Sequence, residues 1–147
     1  MARKKKRKPT LRVARNRLLA AKSIANNDQY TNIRRAFLDK FTYCDVSCKA
    51  ILEGYLKYKG TYNPAKFVDL NMKQIPAAME LFGLDVERNL LNSIFGGSGK
   101  YKKRGTKSAK KLRDGLVHAM NAADVNEIVD RYDELDSLMD RYLSIFE

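Results

Sequence analysis

The stretch Thr31 to Gly60, TNIRRAFLDKFTYCDVSCKAILEGYLKYKG, decides the fold. Within it Ile33, Phe37, Phe41, Cys44, Cys48, Ile51 or Leu52, and Tyr55 recur at steps of three and four. An α-helix completes a turn in about 3.6 residues, so these side chains form one apolar stripe along a single long helix. Gly60 is placed to end it, because glycine adopts the left-handed conformation that closes helices. The end of the chain carries a matching pattern. Ile128, Tyr132, Leu135, Met139, Tyr142 and Phe146 follow steps of four and three, with Asp130, Asp133, Asp136 and Asp140 among the exposed positions. One apolar stripe is stable only when buried against another, so this last helix is expected to pack antiparallel to a neighbour, as in a bundle.

Shorter helices fill the space between. After a turn at Asn63 and Pro64, Met72 to Phe82 reads as a helix that Pro76 either kinks or starts afresh, and Gly83 stops it. Asp85 is placed to cap a helix over Val86 to Phe95, closed by Gly96 and Gly97. Ser108 is a good N-cap for a helix through about Asn121, and Asp124 with Glu127 has the spacing of a capping box that launches the last helix. No strand pattern competes and no internal repeat is present. The expectation is an all-α fold: a single up-and-down bundle of four to five helices over residues 28–147, preceded by a basic tail over residues 1–27. MARKKKRKP, at the start of that tail, has nothing to bury and should stay disordered until it meets a partner, with a short helix from Leu11 to Ile24 behind it.

Charge narrows the class of partner. The chain of 147 residues holds 29 Lys and Arg against 17 Asp and Glu, a formal net charge of +12. The excess is polarised: residues 1–27 and 100–114 hold most of the surplus cations, while residues 120–147 are acidic. Such an imbalance points to a polyanion and says nothing about the fold. Arg12, Arg15, Arg17 and Lys22 interrupt every apolar run near the start, and no segment approaches the roughly 20 apolar residues of a membrane span. A cytoplasmic protein without membrane contact is expected. Cys44 and Cys48, one helical turn apart, are expected to pack in the core as reduced thiols. Zinc asks for about four ligands, whereas the chain has a single His, so no metal and no cofactor are called for.

Two familiar chemistries fail on spacing. The GGSGK stretch evokes a phosphate-binding P-loop, but Ile94 stands where the first Gly belongs and Tyr101 where Ser or Thr belongs. No nucleophile motif surrounds any Ser or Cys. His118 remains, the one side chain whose ordinary pKa lies near neutrality. It closes the run Arg113, Asp114, Gly115, Leu116, Val117, His118.

An Arg followed by a polar residue, with a His four intervening residues later, near the start of a helix in the last third of a small helical chain, resembles the HEPN superfamily. The likeness extends loosely from Thr31 to Phe146. It implies metal-independent RNA cleavage in which Arg113 holds the scissile phosphate, His118 handles the proton of the 2′-hydroxyl and Asp114 orients one of them. Those roles suit the groups, because Arg binds phosphate bidentately and always charged whereas His exchanges protons at neutral pH. Family members commonly pair across a two-fold axis, so the resemblance implies a homodimer in which His118 approaches its copy.

Around that motif Lys100, Lys102, Lys103, Arg104, Lys107, Lys110 and Lys111 are expected to track the RNA backbone, with Tyr101 stacking on a base. Lys4, Lys5, Lys6, Arg7 and Lys8 in the tail are expected to add phosphate contacts. The leading expectation is therefore an HEPN-like ribonuclease of toxin or defence type, held in check by a regulatory protein partner. Two alternatives stay open: a non-catalytic helical RNA-binding subunit, and a protein-interaction module, such as an antitoxin or assembly component, whose acidic last helix docks a basic partner.

Overall fold

A computed structural model describes residues 11–26, 28–65, 73–96 and 107–147, with Asp28 and Gln29 described as backbone alone. Among the described residues there are seven α-helices and no strand: α1 Leu11–Ala25, α2 Asp28–Lys59, α3 Ile75–Leu81, α4 Arg88–Phe95, α5 Ala109–Ala119, α6 Ala122–Asp130 and α7 Tyr132–Leu143, followed by a 3-10 turn at Ser144–Phe146. The all-helical expectation holds, with more and shorter helices than the four or five anticipated. No described helix is long and apolar enough to cross a membrane.

Helix α2 is the spine. Its stripe is buried as the spacing requires: Phe37, Phe41, Cys44, Cys48 and Leu52 lose nearly all contact with water, while Ile33, Ile51 and Tyr55 pack at the edge of the core. Gly60, at φ 74°, ends the helix in the left-handed region. Against this stripe α7 buries Leu135, Met139 and Tyr142. Contacts between α2 and α7 advance together: Lys40 pairs with Asp136 at 2.5 Å and Asp140 at 2.8 Å, Cys44 Sγ lies 4.0 Å from the Met139 carbonyl, and Ser47 Oγ lies 3.5 Å from the Tyr142 hydroxyl. The two helices thus run in the same sense, where an antiparallel neighbour was expected.

The core is stitched by aromatic rings. Phe41 meets Phe37 and Phe95 with centroids 6.4 Å apart, and Phe95 meets the edge of Tyr142 at 5.2 Å. Burial pushes the Cys44 and Cys48 thiols up to about 12 and the Tyr142 hydroxyl further still, so all three enter the core neutral.

Three helix boundaries differ from the sequence reading. Pro76 sits in the first turn of α3, where its missing N–H is no loss, so α3 starts afresh at Ile75. Residues 66–72, including Met72 where that helix was expected to begin, lie outside the described residues. Helix α4 starts at Arg88, with Glu87 in the capping position and no side-chain cap from Asp85. The acidic C-terminal stretch is two helices. Asn121, not Asp124, caps α6, accepting the N–H groups of Ala123 and Asp124 through Oδ1. The break at Arg131 coincides with a guanidinium that binds the Lys107 carbonyl at 2.8 Å, Glu127 at 2.7 Å and Glu134 at 3.0 Å.

Candidate nucleic-acid interface

Two basic helices, α1 and α5, both rest on α2 and α6. Helix α5 is started by Ser108, which is 2% exposed. Its Oγ accepts the Lys111 N–H at 3.2 Å and donates to the Gly96 carbonyl at 2.7 Å, so one hydroxyl both caps α5 and ties it to the end of α4. The core side of α5 carries Ala109, Leu112 and Leu116.

The motif residues stand on this helix as follows. Arg113 lies at the flank of the buried stripe. Its guanidinium carbon sits 5.1 Å from the centroid of Phe41, its Nη2 pairs with Asp114 Oδ1 at 3.0 Å, and its buried Nε finds no hydrogen-bond partner among the described residues. His118 is exposed, on the side of α5 turned away from the core. Because α5 is a continuous helix, five residues carry His118 about 140° around the axis from Arg113. Asp114 stands one turn before His118, and Lys111 two turns before it, on the outward side. Within one chain the outward group is therefore Lys111, Asp114 and His118, with Arg113 tethered to it through Asp114.

Helix α5 is seated on α6 through a glycine. A Cβ added at Gly115 would stand 2.6 Å from Asp124 Cγ and 3.0 Å from Asp124 Cβ, so only glycine leaves room for that carboxylate. Asp124 is 5% exposed and forms an ion pair with Lys107 Nζ. Lys107 also donates its backbone N–H to Glu127 at 3.2 Å. The charge of Lys107, expected on RNA, is compensated inside the fold. Lys110 is half-buried and Lys111 exposed. The expected contacts Lys100, Tyr101, Lys102, Lys103 and Arg104, and Lys4, Lys5, Lys6, Arg7 and Lys8, lie outside the described residues.

No family model, curated protein or solved structure matches this chain.

Helix α1 supplies a set that sequence reasoning did not single out. It has no buried residue and no acid. Only Ala21 and Ile24, near its last turn, are partly covered, and the Thr31 hydroxyl donates to the Ala25 carbonyl at 3.3 Å. Taking about 100° per residue, Arg12, Arg15, Leu19 and Lys22 all lie some 130° or more around the axis from that docked side. They form one outward stripe, and among the described residues none of its three cations has a carboxylate partner. The signal available in the sequence was the spacing of three, four and three that joins residues 12, 15, 19 and 22.

Proposed function

We propose that this protein binds RNA, with α1 as the principal phosphate-contacting element and the outward side of α5 beside it. The observation that carries this reading is the direction of the α1 stripe: Arg12, Arg15 and Lys22 point away from the body on a helix held only by its final turn. An isolated helix of about 15 residues is marginal in water, so a polyanion laid along the stripe would both neutralise and order it. The remaining surplus charge of the chain favours the same class of partner.

The test is fluorescence anisotropy with a labelled RNA across a salt series. Replacing Arg12, Arg15 and Lys22 together by Glu should weaken binding by at least about tenfold and flatten the slope of log K against log salt by about 2, near 0.7 per lost phosphate contact on a single strand. An unchanged affinity and slope would remove α1 from the interface.

A second reading, cleavage, is favoured by one contact. The Arg113 to Asp114 ion pair at 3.0 Å puts the orienting residue of the HEPN resemblance against its Arg. With Arg113 and His118 on different sides of α5, the reading requires two chains, so that His118 of one copy meets the Arg113 of the other. Incubation with labelled RNA in EDTA would then give fragments ending in 2′,3′-cyclic phosphate, and His118→Ala would abolish them while leaving RNA binding largely intact.

A further inference from the structure

We propose that the outer stripe of α2 is an interface between two copies of this chain, paired antiparallel about a two-fold axis at the level of Cys48 along the helix. The inference is independent of the RNA reading, and because Arg113 rests on Phe41, on the opposite side of α2, this contact is not the one that the cleavage reading requires. On the side of α2 away from the core, Asp39, Tyr43, Val46, Ala50 and Lys57 are all exposed and recur at helical spacing. Tyr43 is 57% and Val46 56% exposed, large apolar surface for a helix whose opposite side is filled. The apolar surface continues onto α3. Phe82, 49% exposed, lies over Gly54, where an added Cβ would stand 2.7 Å from the ring.

What identifies the occupant as a second copy is the symmetry of the charges. Asp39 lies nine residues before Cys48 and Lys57 nine after, while Val46 and Ala50 lie two on either side. Eighteen residues make five full turns, so Asp39 and Lys57 share one azimuth on α2. A two-fold axis running between the two helices at the level of Cys48, perpendicular to both, sets Asp39 of each copy against Lys57 of the other, twice. The same operation seats Val46 on the small Ala50 of the opposing helix and brings Tyr43 to the level of Glu53, one residue before Gly54 and the Phe82 ring that covers it. Within its own chain Lys57 is 3.5 Å from Glu53 and 5.1 Å from the centroid of the Tyr62 ring, on an exposed side chain that can turn to a stronger partner. Asp and Lys at the ends of the contact are long enough to follow the divergence of a shallow helix crossing, and Ala50 at the centre permits close approach. A foreign protein has no reason to mirror this arrangement, whereas a second copy meets it without further requirement.

Sedimentation velocity of the full chain between about 1 and 100 µM should give a dimer of micromolar or tighter dissociation constant. Asp39→Lys alone and Lys57→Asp alone should each weaken it by about tenfold or more, and the double charge swap should restore it to within a few-fold. Val46→Glu should leave a monomer of unchanged helicity by circular dichroism. A chain carrying Val46→Cys and Ala50→Cys should form a disulfide-linked dimer under mild oxidation. A monomer throughout the concentration range, a dimer indifferent to Val46→Glu, or a charge swap that does not rescue would each overturn the proposal.

Discussion

Replacing Gly115 by Ala tests the seat of α5 directly. In an exposed helix interior the change would stabilise by about 1 kcal/mol, because alanine loses less backbone freedom than glycine on folding. Here the new methyl would stand 2.6 Å from Asp124 Cγ, so the carboxylate must rotate away from Lys107. Separating a buried ion pair costs about 3 to 5 kcal/mol, and the lower end applies because the Lys107 side chain is 46% exposed and can rehydrate. The net expectation is a loss of about 2 kcal/mol, or about 4 to 8 °C in melting temperature for a chain of this size. The decisive comparison is a double-mutant cycle followed by urea unfolding at 222 nm. With Asp124→Gly already in place the whole side chain that obstructs it is gone, and Gly115→Ala should become stabilising by about 0.5 to 1 kcal/mol. The effect must therefore change sign between the two backgrounds. Equal effects in both, or a neutral Gly115→Ala in the parent, would refute the close approach.

Other perturbations read other parts of the structure. Ser108→Ala removes the cap of α5 and the donor to the Gly96 carbonyl together, and should lower stability by about 2 kcal/mol in the same unfolding assay. Cys44 and Cys48 give a pH dependence: their thiols ionise near pH 9 when solvated but only at about 12 in the core. Below pH 9 both states keep the protons and the contribution is fully present. Above it the unfolded chain releases protons that the native state retains, so stability should fall by about 1 kcal/mol per pH unit for each thiol. Urea midpoints at pH 8, 9 and 10 should decline less steeply in a Cys48→Ala variant than in the parent, and parallel declines would count against the buried thiols as the cause.

How far the sequence could be read depends on the range of the interaction concerned. Period alone makes α2 legible, since its apolar stripe is local and long, and the Ser108 cap follows from a hydroxyl three residues before the N–H it accepts. The break at Arg131 was hidden because the apolar steps from Ile128 through Tyr132 to Leu135 continue across it, while its guanidinium reaches a carbonyl 24 residues away. The relative direction of α2 and α7 was equally hidden. A stripe tells which side of a helix is buried and nothing about the sense in which its neighbour runs. At the candidate interface, Arg113 was legible as a cation but not as a group lying on Phe41, a contact made by tertiary packing. The α1 stripe was overlooked for a different reason: its direction follows from which two residues of α1 touch the body, Ala21 and Ile24, and that is settled only by docking.

The energetics of Arg113 explain why binding is placed before cleavage. Two modest interactions hold its guanidinium: contact with the Phe41 ring, worth about 0.5 to 2 kcal/mol, and a part-exposed pair with Asp114, worth about 0.2 to 1 kcal/mol. A phosphate would replace the second with charge-assisted hydrogen bonds worth about 1.5 to 3 kcal/mol, and Asp114 would have to turn aside. The net gain of about 1 to 2 kcal/mol is small beside the several kcal/mol that association costs, so Arg113 is a conditional ligand whose capture depends on what else fixes the RNA. The cations of α1 face no such competition, because none has a carboxylate to give up among the described residues. Any strand that reaches Arg113 is therefore already paid for by contacts elsewhere, and α1 is the element positioned to provide them.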